Sequence, residues 1–317
     1  MRKAVGIDIG GTKIAVGVVT ENGQLLKRVE VESDPTDREA MFQQVVNAVE
    51  AVFQQSSFSL EEIDGIGVGI PGKVDRTNGI AVFQNNLPWA GFPIVARLQE
   101  HFGKNRIVID NDVYMAAFAE WKSAEASPSE TFAYITVSTG ISSSIIHRGS
   151  FFRGAGFAGE LGLIPVASKR GSEELAKVMS GNELDGEQTL LRLEQAVAGP
   201  AIPKIAERKL NMEDLSAKDV FQGFLNGETK YELIIDEVVD YLTHGIYTLT
   251  CIVDPYKITL GGSVIVKNLF LLERIKAKLK AYQIEEQHHL LDNICISTLA
   301  QDNGVIGAGL RVFHEEF

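Results

Sequence analysis

The sequence has little cysteine, no long apolar run and no concentration of positive charge. Only two of its 317 residues are cysteines, Cys251 and Cys295, and each sits in an apolar run. That excludes a disulfide framework and suggests buried thiols in a reducing compartment, hence a cytoplasmic protein. No stretch approaches the roughly 20 apolar residues that a membrane-spanning helix needs. The chain enters a strand at once, so no signal peptide is expected. The net charge is −12 with no basic run, which argues against a nucleic-acid partner. Low-complexity segments and flexible linkers are also missing. What remains is 45% hydrophobic and long enough for two lobes with separate cores.

The organising stretch runs from Val5 to Val19. A β-forming run ends at Asp8. A Gly10-Gly11-Thr12-Lys13 turn follows, and a second β-forming run begins at once. In a dinucleotide fingerprint the glycine turn feeds a helix. Here Ile14, Val16, Val18 and Val19 read as a strand, so the unit is strand–turn–strand. Glu21-Asn22-Gly23 supplies a second turn, and Gln24 to Val31 a third strand. Gly10 and Gly11 let a phosphate chain approach the backbone, and successive N–H groups form an anion-binding concavity. Thr12 offers a hydroxyl, Lys13 a point charge, and Asp8 a ligand for Mg²⁺, through water because magnesium dehydrates reluctantly. The same residues also suit an ordinary hairpin with a glycine turn.

Further along, residues 36–55 carry apolar residues at helical spacing, from Phe42 to Phe53. The alternating glycines of Asp64 to Gly72 mark a strand with close backbone approach, to a neighbour or to a ligand. Asn85 to Trp89 forms a polar-aromatic loop, and Arg106 to Ile109 a strand stopping at Asp110-Asn111-Asp112. An acid and amide cluster at a strand's C-terminal end is where α/β sheets place ligands. On the residues alone, Asn111 also serves as a turn former and Asp112 as the N-cap of the helix Met115 to Lys122. Phe132 to Val137, the Ser138-Thr139-Gly140 turn and Ile141 to Ile146 repeat the opening plan, which suggests two similar lobes. Residues 168–188 are polar, with helical potential near Glu173 to Met179. Helices are expected over Gln188–Val197, Ala217–Leu225, Lys230–Val253 and Leu269–Tyr282. The long one places Leu233, Ile234, Val238, Leu242, Ile246 and Leu249 on one side. Strands are expected at Lys257–Leu260 and Asn293–Leu299, and a Gly/Ala-rich final helix at Val305–Phe313.

Together these residues resemble the ROK family of bacterial sugar kinases and repressors, within the hexokinase–actin–Hsp70 superfamily. The likeness covers nearly the whole chain. It rests on Asp8-Ile9-Gly10-Gly11-Thr12-Lys13, Gly69-Ile70-Pro71-Gly72, Asn86-Leu87, Asn111-Asp112, Ser138-Thr139-Gly140, Gly159-Glu160-Leu161-Gly162, Leu260-Gly261-Gly262 and Gly304 to Ala308, in the family's order. The resemblance implies a two-lobe α/β, actin-like (ribonuclease H-like) fold with ATP, Mg²⁺ and sugar in the cleft between lobes. The lobes would be 1–113, joined by the C-terminal helix 305–317, and 114–304. Asp112 matches the catalytic base that takes the proton from the sugar's 6-hydroxyl. Gly72, Asn86, Asn111 and Glu160 match the sugar side. Gly10 to Lys13 and Thr139-Gly140 match the two phosphate hairpins. Gly261, Gly262 and Gly304 match the adenosine side. A homodimer is the usual assembly.

The sequence departs from the family in several places. Leu163 stands where many members carry a zinc-site histidine, and no cysteine lies between residues 163 and 250, so no zinc is expected. Ser142-Ser143-Ser144 replaces glycines after the second turn, and Tyr114 a small or amide residue after the base. The family's second sugar-binding glutamate has no firm match, with Glu173 and Glu174 as candidates. The leading reading is a hexose kinase acting on glucose or an N-acylhexosamine such as N-acetylmannosamine. A β-glucoside kinase and a non-catalytic sugar sensor are the alternatives. A DNA-binding repressor is not expected, because Asp8 lies too near the N-terminus for a preceding helix-turn-helix.

Overall fold

The first sheet grows outward from the opening stretch. In the computed structural model, which describes residues 1–84, 86–167 and 190–314, β1 (Lys3–Ile9) returns as antiparallel β2 (Lys13–Thr20), and β3 (Leu25–Glu32) pairs with β2. Val5, Ile7, Ile14, Val16 and Val18 are fully buried, as β-branched residues of a covered sheet should be. Helix α1 (Arg38–Gln54) covers it with Phe42, Val45, Val46, Val49 and Val52. Its first turn is capped by Asp37, which accepts from the N–H groups of Glu39 and Ala40 at 2.7 and 2.9 Å. Strand β4 (Ile66–Ile70) adds parallel to β1. A small sheet of β5 (Lys73–Asp75), β6 (Ile80–Phe83) and β7 (Ala90–Phe92) follows, then α2 (Ile94–Phe102). Strand β8 (Ile107–Asn111) completes the order β3-β2-β1-β4-β8 and leads directly into α3 (Asp112–Ser123).

The second five-stranded sheet takes β9 (Thr131–Val137), β10 (Ile141–His147) and β11 (Ser150–Phe151). Strands β12 (Pro165–Ala167) and β13 (Leu190–Arg192) form a separate pair. Helices α4 (Glu194–Val197), α5 (Ala201–Leu210), α6 (Ala217–Leu225) and α7 (Glu232–Val253) come next. Then follow β14 (Lys257–Gly261), α8 (Ser263–Val266), α9 (Phe270–Tyr282), α10 (His289–Asn293) and β15 (Ile294–Ile296). The order is β11-β10-β9-β14-β15. The chain ends in α11 (Asn303–Arg311). Among the described residues no helix is long and apolar enough to cross a membrane.

Contact density divides the chain into one unit of Met1–Phe132, Ser144–Gly156 and Leu299–Phe317 and another of Ala133–Ser143 and Phe157–Thr298. This differs from the expected boundary at 113, because α3 packs on α11. A Cβ on Gly307 would lie 1.7 Å from the Met115 carbonyl oxygen, so the two backbones touch. Glycines also seat α11 on the sheet. Cβ atoms on Gly6 and Gly67 would lie 1.9 and 1.8 Å from the carbonyls of Val305 and Ala308. The β4 glycine at 67 therefore serves packing, not a ligand.

Several expectations need correction. Leu190–Arg192 is a strand paired with Pro165–Ala167, so the helix expected from Gln188 shrinks to α4. Helix α5 lies where no helix is expected from the spacing, with Ile202, Ile205 and Ala206 buried on one face and Pro203 in its first turn. Proline is tolerated there because it falls in the first turn. Leu233 faces solvent, since the buried stripe of α7 turns toward Ile235 and Val239 instead. Cys251 is exposed and Cys295 half-buried. Cys251 sits in the last turn of α7 beside exposed Ile252, away from the core. The expected helix near Glu173 to Met179 lies outside the described residues.

Candidate functional site

In the first unit, three strand ends bring the acids together. Asp8 of β1, Gly69 of β4 and Asp110 of β8 are register partners, and Ile70 pairs with Asn111 one step further. Gly69 lies against the chain turning into α3, its Cβ position 3.4 Å from the Asp112 Cα, ordinary contact. Asp8 is hemmed in by protein. A Cβ on Gly304 would meet its Oδ2 at 2.5 Å and its Cγ at 2.6 Å, so any larger residue at this position of α11 would displace the carboxylate. Burial pushes the Asp8 carboxyl up to about 7, and the charge of Asp112 adds to the rise, while Arg28 opposes it. Gly304, expected on the adenosine side, thus lies against the candidate metal ligand.

The glycine turn is fixed from below and open above. The Gly10 N–H donates to the Lys13 carbonyl at 2.8 Å. Ser33 donates from Oγ to the Gly10 carbonyl and from its N–H to the Thr12 carbonyl, at 2.6 and 2.9 Å. The N–H groups of Gly11 and Thr12 have no partner among the described residues, which suits an anion-binding concavity. Lys13, in contrast, is engaged: its ammonium pairs with Glu30. Glu30 also accepts from Arg28 at 2.6 Å, and Arg28 pairs with Asp302 at 2.9 Å. Asn86 packs over the turn, with its Cβ 2.8 Å from where a Cβ on Gly11 would be. Its loop is anchored by buried Trp89, which donates to the Arg38 carbonyl at 3.0 Å and stacks on Phe92 at 4.8 Å.

Asn111, rather than Asp112, caps α3: its Oδ1 accepts from the Val113 N–H at 2.9 Å. A residue one position earlier wins because β8 continues through Asn111, whose backbone is still extended. Asp112 then opens the helix and accepts from the same N–H at 2.9 Å. The Asn111 Nδ2 donates to the Gly72 carbonyl at 3.0 Å. Gly72 has φ +81°, and any Cβ there would lie 2.3 Å from the Phe83 carbonyl. The sequence reading missed the ion cluster behind this strand end. Asp110 is 3% exposed and takes a two-point contact from Arg153 at 3.1 and 2.7 Å, with Arg76 at 3.7 Å. Its only sequence signal was an acid at a strand end.

In the second unit, the Ser138 N–H donates to the Gly140 carbonyl at 2.8 Å, closing the turn that carries exposed Thr139. Gly262, at φ +83°, would place a Cβ 2.3 Å from the Val137 carbonyl, and Gly261 one 2.4 Å from the Tyr134 hydroxyl. The expected phosphate turn and the Gly261-Gly262 turn therefore meet backbone to backbone. Beside them opens a cavity of about 420 Å³ lined by Gly199, Phe221, Gln222, Ser263, Val264 and Asn268 among others. The Gly199 N–H donates to the Ser138 carbonyl at 2.7 Å, joining the cavity to the turn. Ser143 locks the hairpin with bonds from its N–H and Oγ to the Gly159 carbonyl, at 2.8 and 2.7 Å. Glu160 follows. Although its surface is exposed, partial burial of the carboxyl raises its pKa, and the charge of Glu194 adds to this. Glu173 and Glu174 lie outside the described residues. Glu194 stands nearby, its Cβ 3.3 Å from where a Cβ on Gly162 would be.

Known proteins resemble this chain over nearly its whole length. A glucokinase of Halalkalibacterium halodurans is 29% identical, with 98% of this chain and 95% of that protein covered. A β-glucoside kinase of Listeria monocytogenes is 26% identical, with 99% and 98% covered. Among solved structures, the ROK hexokinase of Thermus thermophilus superposes with a TM-score of 0.78 at 27% identity, covering 99% of this chain and 98% of that one. This likeness carries the expected two-lobe, actin-like α/β fold. The ROK family profile matches residues 4–314, from the first strand to beyond α11, and the chain belongs to the ROK family.

Proposed function

We propose that this chain is an ATP-dependent kinase that transfers a phosphoryl group to the 6-hydroxyl of a hexose, with glucose as the leading substrate. The observation that carries the reading is the convergence of Asp8, near the end of β1, and Asp112, just past the end of β8, on either side of β4, beside a turn whose Gly11 and Thr12 N–H groups have no partner among the described residues. Phosphoryl transfer needs alignment, a proton acceptor and charge neutralisation more than covalent help. Asp112 takes the proton of the 6-hydroxyl as that oxygen bonds to the γ-phosphorus and the bond to the β-phosphate oxygen breaks. Gly11 and Thr12 hold phosphate oxygens through backbone N–H groups, and Thr139 and Gly140 offer a second phosphate turn. Gly261, Gly262 and the cavity at Phe221 take the nucleoside. Asn86, Asn111, Glu160 and Glu194 accept and donate bonds to sugar hydroxyls. Asp8 would hold Mg²⁺ through water, and the ion, when bound, supplies positive charge to the phosphates. A cytoplasmic location, a homodimer and the lack of a structural zinc belong to the same reading.

A specific observation favours a second reading, a β-glucoside kinase. Leu163, where the family resemblance places a histidine, is 48% exposed and lies three residues after Glu160, its N–H donating to the Glu160 carbonyl at 3.1 Å. An apolar side chain there suits a substituted anomeric end, and one relative at 26% identity is a β-glucoside kinase. The deciding experiment measures ADP release with MgATP across glucose, mannose, fructose, N-acetylglucosamine, N-acetylmannosamine and cellobiose, with Asp112→Asn as control. Turnover of glucose that is lost in the control supports the first reading, and preference for cellobiose supports the second. Silence on every sugar refutes both, and wild-type turnover in the control removes Asp112 as the base. Stoichiometric zinc in the purified protein would overturn the zinc-free part.

A further inference from the structure

We infer that Arg153 is a positioning residue for the transfer, clamping the Asn111–Asp112 step from both sides through Asp110 and Tyr114. The inference rests on the reading of Asp112 as the base. Asp110 lies one residue before the step. It is almost fully buried, and Arg153 grips both of its oxygens, the Nη1–Oδ1 and Nη2–Oδ2 distances being 3.1 and 2.7 Å. Such a fork fixes the orientation of the carboxylate as well as its charge. The same Oδ1 accepts the Asn111 N–H at 2.9 Å, so the carboxylate that Arg153 orients also holds the peptide leading into Asn111.

Tyr114 lies two residues beyond Asp112, in the first turn of α3. The Arg153 guanidinium sits over its ring at 4.5 Å and over Phe151 at 4.9 Å. The two rings meet edge to face at 5.0 Å, so the cation is held against a formed aromatic surface. One guanidinium thereby touches the chain on either side of the candidate base. Arg76 adds a second cation 3.7 Å from Asp110, and it stands four residues after Gly72, whose carbonyl holds the Asn111 side chain. Backbone and side chain of Asn111 are thus both referenced to one ion cluster.

A buried ion pair is a weak source of net stability, since an apolar pair of similar volume serves as well. What it supplies here is geometry at a strand end where the reaction requires it. Reacting groups must be held within about half an ångström, and a misplacement of about 1 Å costs on the order of 100-fold in rate. Lysine would keep the charge but lose both the fork and the stack.

The test uses the full chain with Arg153→Met, Arg153→Lys, Asp110→Asn, the double variant Asp110→Asn/Arg153→Met, and Asp112→Asn. Steady-state ADP release gives kcat and KM per folded molecule, and calorimetry gives sugar affinity. Arg153→Met should lower kcat about 30- to 100-fold, with sugar affinity within about threefold. Arg153→Lys should recover little of the loss. The double variant should fall no further than Arg153→Met, because the two residues act as one unit. Should Arg153→Met fail to fold, the double variant, which removes the acid and its guanidinium together, carries the same expectation. A folded variant with kcat within threefold of wild type, full recovery in Arg153→Lys, or losses that multiply in the double variant would overturn the clamp. Asp112→Asn separates the two ideas. Wild-type turnover there removes the base assignment, whereas its loss together with an unaffected Arg153→Met removes the clamp alone.

Discussion

Gly304→Ala separates the chemistry of Asp8 from the stability of the fold. An added Cβ would lie 2.5 Å from the Asp8 Oδ2 and 2.6 Å from its Cγ, whereas ordinary contact begins at 3.4 Å. The carboxylate must therefore retreat by about 1 Å, a displacement that costs on the order of 100-fold when it affects a group aligned for reaction. Folding should hardly notice. The neighbour that must move is a side chain and not backbone, and alanine is a better helix former than glycine. Gly307→Ala is the contrasting control. Its Cβ would lie 1.7 Å from the Met115 carbonyl oxygen, and backbone on both sides leaves nothing free to yield. That variant should lose about 4 kcal/mol or fail to fold. The assay is ADP release with Mg²⁺ and ATP varied independently, alongside thermal unfolding. Gly304→Ala should keep its Tm within about 2 °C, and lose turnover and Mg²⁺ response together. A well-folded Gly304→Ala with turnover and Mg²⁺ dependence within threefold of wild type would refute the placement of Asp8 at the reacting phosphates.

Three further outcomes are expected. Without metal, the folded state holds a proton on Asp8 between its ordinary 3.8 and about 7 that the unfolded chain has released. The stability this contributes is present below the lower value and lost as pH rises through the upper one. Metal-free Tm should therefore fall less across that window in Asp8→Asn than in wild type, and Mg²⁺ should raise Tm at pH 8 in wild type only; equal slopes in scanning calorimetry would contradict this. Phe221→Ala should raise the KM for ATP about tenfold, equivalent to about 1.4 kcal/mol of nucleoside contact, with the sugar KM unchanged; an unchanged ATP KM would move the nucleoside elsewhere. Asp37→Ala should remove the α1 cap at a cost of about 1 kcal/mol, visible as a lower urea midpoint with kcat intact.

The elements were legible wherever the cause was local. The strand–turn–strand opening announced itself through β-branched runs on either side of two glycines. Helix α1 followed from its apolar spacing, and the structure adds the caps: Asp37 on α1, and Ser216 and Asp219 exchanging bonds across the first turn of α6. Spacing alone fails where two causes compete. The apolar run near Gln188 reads as a helix, yet Leu190–Arg192 finds a strand partner. The cap of α3 shifted by one residue because the sheet register, and not the local sequence, decides how far β8 extends.

The candidate site divides along the same line. Asp8, the glycine turn, Asn111 and Asp112 could be read because each is part of a short motif whose chemistry is visible in consecutive residues. Glu194 and Arg153 could not, because their roles depend on residues far away in sequence. Glu194 gains its meaning from Glu160, 34 positions earlier, across a stretch where spacing gives no register. Arg153 lies 43 residues from Asp110, and nothing around Phe151-Phe152-Arg153-Gly154 distinguishes it from a solvated arginine. The difference lies in what a motif encodes. A turn carries its own backbone geometry, so glycine at a tight position is a local statement. A bidentate ion pair is a statement about two chain segments at once. The residues that make contact with substrate therefore tend to be readable in the sequence, while those that hold them in place become visible only when the chain is folded. In this chain the second class includes Arg153, whose guanidinium touches Asp110 and Tyr114, two residues before and two after the proposed base.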